Sequence, residues 1–270
     1  MFKSRNCIAY LSVMIIMTSF AHSRESDFIT YDWLITSAKA TSYTDHIFHF
    51  RKLFNAMKVR GFLECGCGFS TKYFIDNCDK VISIEFLHPG TDRLWYDQCL
   101  QLYKDCGNWF PFAYNADHSN ASFYVACANP YQDYSLVNPQ YLGDLDQYFK
   151  ALLLEAEKEG KNIDVAFVDP GVYIRGDMVR LLLANKVPIV VAHDTESDKG
   201  VGEDLYGWFK VKIPSDYVKI YIPWGNGTTF WINKKLTYVI DSMMQYLDHI
   251  NKQRLSGGLS SELMRNLAEQ

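Results

Sequence analysis

The chain has 270 residues, 48% of them hydrophobic and 15% aromatic, and a formal charge of −4 at pH 7. This suits a folded domain with a sizeable core and excludes the polar, aromatic-poor class of disordered chains. A mildly acidic chain without a Lys/Arg cluster also lacks the electrostatic footprint of a nucleic-acid or anionic-membrane binder.

Residues 1–23 have the three-part layout of a secretory signal. Lys3 and Arg5 precede the uncharged run "CIAYLSVMIIMTSFA", and "AHS" then places small residues before a cleavage point at Arg24. The run is short for a membrane span, which takes about 20 residues; a short uncleaved anchor is the alternative. Cleavage would remove two basic residues and no acid, taking the formal charge from −4 to −6, and would remove Cys7, leaving six of seven cysteines. An even number in an exported chain permits disulfides without assigning them. Asn120 and Asn226 begin N-x-S/T sequons.

Residues 24–58 are expected to be an N-terminal helical region. Within it, "YTDHIFHFRKLFNAMK" spaces Ile47, Phe48, Phe50, Leu53, Phe54 and Met57 as on an amphipathic helix. The main domain, 59–235, opens with the buried strand "RGFLECG", the helix "STKYFIDNC", the β-branched strand "KVISIEF" and the helix "DRLWYDQCLQLYKDCG". "NWFPFAYNAD" is the candidate third strand. Residues 118–140, aromatic and proline-punctuated without a clear period, read either as an insertion over a pocket or as the holder of that strand. The helix "YLGDLDQYFKALLLEAEKEG" follows, then the strand "IDVAFVD", a helix around "GDMVRLLLAN" and the strand "VPIVVAHD". "YVKIYIP" and "TTFWINK" are joined through "WGNG", where Asn226-Gly227 is a hairpin signal. Residues 236–270 are expected as a helical tail. The alternation predicts an α/β fold: a Rossmann-like, mostly parallel sheet with helices on both faces and a C-terminal antiparallel β-hairpin.

Ligands of such sheets bind outside the carboxyl ends of the strands, which puts the bend "GFLECGCGFSTKYF" (61–74) at a candidate site. Cys65 and Cys67 are spaced as C-x-C, with no second Cys/His pair at zinc-like spacing and no C-x-x-C redox motif. Both cysteines read as small buried residues filling a tight turn. Gly66-x-Gly68, between a strand and a helix, lets the backbone turn sharply and lie against a ligand. A dinucleotide fingerprint would want a third glycine where this chain has Thr71. No G-x-S-x-G or H-E-x-x-H occurs.

"ECGCGFST" followed by "VISIE" resembles the cofactor site of class I S-adenosylmethionine-dependent methyltransferases, in which an acid precedes a G-x-G loop and another acid closes the second strand. "IDVAFVDPG" and "VPIVVAHDT" resemble the fourth- and fifth-strand segments of the small-molecule O-methyltransferases, and the resemblance spans roughly residues 45 to 235. It implies that Glu64, Cys65, Gly66 and Gly68 lie at the methionine end of the cofactor and that Glu85 holds the ribose. Ser70 and Thr71 would cap the next helix and face the ligand, Ser70 alternatively being a plain N-cap. Phe86 would lie beside the adenine or in the core, and Asp117 would contact the adenine amino group or sit in a turn.

The catalytic set implied is Asp169, His193 and Asp194. The two aspartates end adjacent strands, and they resemble the ligand positions of metal-dependent catechol and sugar O-methyltransferases, which would make them ligands of Mg²⁺. His193 would then be a base or an orienter. As turn residues the aspartates would instead cap the following helices. The implied function is methyl transfer to a small-molecule or sugar hydroxyl. An NAD-dependent oxidoreductase is one alternative, and a secreted non-catalytic binding protein keeping the fold is another.

Overall fold

The computed structural model describes residues 45–87, 94–115, 139–171, 174–196 and 206–256, with 260, 264 and 266–268. The amino-terminal segment, Asp117, Asn120 and the stretch 118–138 lie outside the described residues. No described helix is long and apolar enough to cross a membrane.

The chain order is α1 (His46–Ala56), β1 (Val59–Cys65), α2 (Thr71–Asn77), β2 (Cys78–Leu87), α3 (Leu94–Tyr103), β3 (Trp109–Asn115), α4 (Pro139–Lys158), β4 (Ile163–Val168), α5 (Arg175–Ala184), β5 (Ile189–His193), a 3₁₀ turn (Trp208–Lys210), β6 (Tyr217–Ile222), β7 (Thr228–Asn233) and α6 (Thr237–Ser256). The seven strands form one sheet in the order β3-β2-β1-β4-β5-β7-β6. β1 to β5 pair in parallel, and β7 pairs antiparallel with both β5 and β6. This is the expected Rossmann-like α/β sheet with its closing hairpin. β1 has β2 on one side and β4 on the other, so the chain reverses its direction of travel across the sheet between them, where a crevice forms at the strands' carboxyl ends.

β3 is an edge strand, which is why Pro111 is tolerated within it. Alternation along the strands separates two apolar layers. On one face, Leu63, Cys65, Ile84, Ala166, Val190 and Trp231 pack beneath Phe149 of α4 and Met178 of α5. On the other, Phe62, Phe74, Phe167 and Phe230 gather around Phe50 of α1, with ring centroids 4.9 Å apart for Phe50–Phe74 and Phe50–Phe167. α6 buries Val239, Met243, Tyr246 and Ile250 at helical spacing and packs on α1, where Tyr246 Oη and His49 Nδ1 are 3.1 Å apart.

One turn departs from expectation. The β6–β7 connection spans five residues, and its left-handed residues are Gly225 and Gly227 rather than the Asn226-Gly227 pair of a two-residue type I′ turn. Asn226 is held elsewhere: its N–H donates to Asp45 Oδ2 at 3.2 Å, and its side-chain amide donates to Asp194 Oδ1 at 3.0 Å. An amide so engaged is a poor glycan acceptor, so the second sequon has a structural use instead.

Candidate active site

The loop after β1 is built by its own side chains. Gly66 has φ +92, and a Cβ there would stand 2.6 Å from Pro170 Cα, so only glycine lets the loop lie against the end of β4. Gly68 differs: among the described residues, nothing lies within 4 Å of the position its Cβ would take. The fold itself places no demand on that glycine, and the open space over it is room for a ligand.

Glu64 points from β1 into the α1 face and is fully buried. Ser83 Oγ donates to it at 2.6 Å and Thr71 Oγ1 at 2.9 Å, while Thr71 accepts the Gly68 N–H at 2.8 Å. Burial pushes its carboxyl up to about 8, against the pull of the two hydroxyls. This corrects the expectation that Glu64 and Thr71 face the ligand: both are consumed in fixing the bend. Ser70 is also buried and stands at the N-cap of α2 without a side-chain capping bond. Cys65 belongs to the core, and burial pushes its thiol up. A hydrogen bond with the Cys99 thiol, and then burial, does the same for Cys67. The five described cysteines, Cys65, Cys67, Cys78, Cys99 and Cys106, form no disulfide with one another. Buried and with their thiols pushed away from the thiolate form, Cys65 and Cys67 fill the turn.

Glu85 stands near the end of β2 and reaches over this loop. Its Oε2 accepts the Cys67 N–H at 3.1 Å and the Cys67 thiol at 3.2 Å. Burial raises its carboxyl to about 7 despite those bonds. Phe86 belongs to the apolar core beside the α4–α5 layer, with its ring centroid 5.5 Å from that of Tyr114.

The ends of β4 and β5 bring Asp169, His193 and Asp194 together, yet the chemistry differs from the expected Mg²⁺ site. Arg175 Nη1 donates to Asp169 Oδ1 at 2.7 Å and to Asp194 Oδ2 at 2.8 Å, so a guanidinium bridges the two carboxylates where a divalent ion would sit. Arg175 is itself fixed by Nε donating to the Pro170 carbonyl at 2.8 Å and by the Tyr206 ring at 4.2 Å. Burial opposes its charge, and the two carboxylates outweigh that. The residues present therefore do not fit Mg²⁺, which needs those oxygens for itself. Asp194 adopts φ +56, an unusual backbone for a residue with a side chain, and Arg175 and Asn226 hold its carboxylate there.

His193 is also placed otherwise than expected. It is 2% exposed; its Nε2 is 2.6 Å from Asp45 Oδ1, and its Nδ1 faces Asp194 Oδ1 at 3.4 Å and Asp169 Oδ2 at 3.5 Å. Burial opposes charge on the ring, but Asp169, Asp45 and Asp194 outweigh it and hold its pKa well above the usual histidine range. A buried, protonated imidazole with both nitrogens engaged is a positioning group and not a base. What reaches the rim is Asp169 and Asp194, whose side chains are 20% and 24% exposed, with Arg175 between them.

Sequence reasoning missed Asp45 and Arg175. Arg175 carried one usable signal, as the basic residue six positions after Asp169 at the start of the next helix. Asp45 carried none: it stands at the N-cap of α1 and makes no side-chain capping bond there.

No protein-family model matches the chain, and no curated protein does. Among solved structures it is similar to a methyltransferase from Geobacter sulfurreducens, with TM-score 0.43 and 13% identity, covering 82% of this chain and 96% of that one. It is similar also to the O-methyltransferase TomG from Streptomyces achromogenes, involved in tomaymycin synthesis and solved in complex with SAM (TM-score 0.42, 12% identity, 82% and 96% covered). A third is the SAH-bound methyltransferase PaMTH1 from Podospora anserina (TM-score 0.41, 8% identity, 86% and 98% covered). At these identities the likeness is to the course of the backbone, and residue roles follow from the geometry above.

Proposed function

We propose that the chain is an S-adenosylmethionine-dependent methyltransferase acting on a hydroxyl of a small molecule or sugar. The observation that carries this reading is the Glu85–Cys67 contact, which sets a carboxylate over the Gly66–Gly68 loop at the crevice beside β1. A carboxylate there suits ribose hydroxyls, which donate to it. It does not suit a pyrophosphate, which would have to share the loop with Glu85 and displace the Thr71 hydroxyl from the Gly68 N–H. That favours a nucleoside with a cationic tail over a dinucleotide.

When bound, S-adenosylmethionine supplies a methyl group activated on a sulfonium. The chain's part is to position and orient. Glu85 holds the ribose, and the open space over Gly68 admits the cofactor. Asp169 and Asp194 accept hydrogen bonds from the acceptor's hydroxyls, at an angle fixed by Arg175, and one of these carboxylates takes the proton that the methylated oxygen loses. Export through residues 1–23 is part of the same reading, tested by an intact mass beginning at Arg24. The function itself is tested with methyl-labelled S-adenosylmethionine and a panel of catechols and sugars, with and without EDTA. Label transfer unchanged by EDTA supports hydroxyl methylation with Arg175 in the role of the cation. Transfer that EDTA abolishes and Mg²⁺ restores would return the aspartates to metal binding.

A further inference from the structure

We propose that Asp45, His46 and His193 form a binding site for a first-row divalent transition ion of zinc type, joining the start of α1 to the end of β5. The site is separate from the Asp169–Arg175–Asp194 bridge, and the proposal stands whether or not the chain transfers methyl groups.

An orphaned side chain is the first observation. His46 is 1% exposed, and neither ring nitrogen has a hydrogen-bond partner among the described residues. Its ring is wedged between Phe167 and His193, with centroids 4.8 Å and 4.7 Å away. A buried imidazole with no partner costs free energy that a bound ligand would recover.

The donors are already gathered. One carboxylate oxygen of Asp45 and one ring nitrogen each of His46 and His193 lie within 4.8 Å of one another, all buried. Two donors at zinc-ligand distance on a tetrahedral ion stand about 3.3 Å apart. The 2.6 Å Asp45–His193 contact would therefore open by under about 1 Å to admit the ion. Two imidazoles and one carboxylate suit Zn²⁺ and not Mg²⁺, which prefers oxygen alone. Three protein donors leave the fourth corner to a water.

The surroundings are those of a metal ligand set. A histidine bound through one nitrogen commonly donates its other N–H to a carboxylate, and His193 Nδ1 faces Asp194 and Asp169 at 3.4 Å and 3.5 Å. Asp45 is oriented by the Asn226 N–H on its other oxygen. Charge points the same way. Asp169 and Asp194 share the Arg175 guanidinium while Asp45 pairs with His193; as His193 gives up its Nε2 proton to bind the ion, two positive charges replace one and the three carboxylates are balanced.

The test uses the purified chain, stripped with EDTA, reloaded with ZnSO₄ and passed through gel filtration. Bound zinc is read by mass spectrometry, and a Co²⁺-loaded sample by visible absorption. We expect one zinc per chain, a raised melting temperature, and Co²⁺ bands of tetrahedral strength without thiolate charge transfer. His46→Phe, which keeps an aromatic ring in the slot, should lose the ion, and Asp169→Asn should retain it. Folded wild type that retains no zinc, zinc retained equally by His46→Phe, or a thiolate band on Co²⁺ would each overturn the proposal.

Discussion

Arg175 and Asp169 form a partly buried ion pair, Nη1 to Oδ1 at 2.7 Å, and the same nitrogen reaches Asp194 at 2.8 Å. The two aspartates come from the ends of neighbouring strands and could repel one another across the rim. The guanidinium turns that juxtaposition into a fixed, planar surface.

Removing the guanidinium should therefore expose the repulsion. Arg175→Met is expected to lose about 3 kcal/mol of stability, the lower end of the range for breaking a buried pair, because both carboxylates are partly exposed. Urea unfolding checks this. Freed of Arg175, the aspartates become oxygen donors, so millimolar Mg²⁺ should raise the melting temperature of Arg175→Met and leave that of the wild type unchanged.

The two loop glycines should separate stability from binding. Gly66→Ala places a side chain against Pro170 at a left-handed φ and is expected to cost about 1–3 kcal/mol. Gly68→Ala meets nothing among the described residues, so its stability should stay within about 0.5 kcal/mol of wild type. Its affinity for S-adenosylhomocysteine should nonetheless fall, because the methyl enters the space left for the ligand. Parallel urea and calorimetric titrations of both variants check the contrast.

Glu64 should make stability depend on pH. Its pKa rises from 4.5 to about 8 on folding, chiefly by burial. A raised carboxyl favours folding fully below 4.5, and that advantage is lost as pH rises through about 8. Glu64→Gln has no proton to lose there, so its stability should fall less between pH 5 and pH 9 than that of the wild type. Denaturation midpoints at the two pH values check this.

The sheet was legible in the sequence because its strands are short apolar runs, rich in β-branched or aromatic residues and separated by helices, and β1 to β5 fall where those runs lie. The loop was legible for a related reason: Gly66, Gly68 and their acidic neighbour are local in sequence. The side-chain directions were not. Glu64 and Thr71 have the residue types of a ligand site, and only the β1 alternation, which sets Glu64 opposite Ser83, turns them inward. Asp45 and His193 are 148 residues apart, so nothing in the local pattern couples them. Arg175 becomes a rim residue only once β4 and β5 are neighbours. Residue type suggested Mg²⁺ on Asp169 and Asp194 and a base at His193; burial and the placement of one guanidinium decided otherwise.

The most direct test of the proposed function is calorimetric titration of the purified chain with S-adenosylhomocysteine and with NAD, from pH 6 to pH 8. Ribose hydroxyls favour the ionised form of Glu85, whose carboxyl burial raises to about 7. The account predicts that S-adenosylhomocysteine binds, that its affinity climbs with pH up to about 7 and then levels, and that Glu85→Gln abolishes this dependence. NAD should give no heat. A clear heat for NAD with none for S-adenosylhomocysteine would contradict the account.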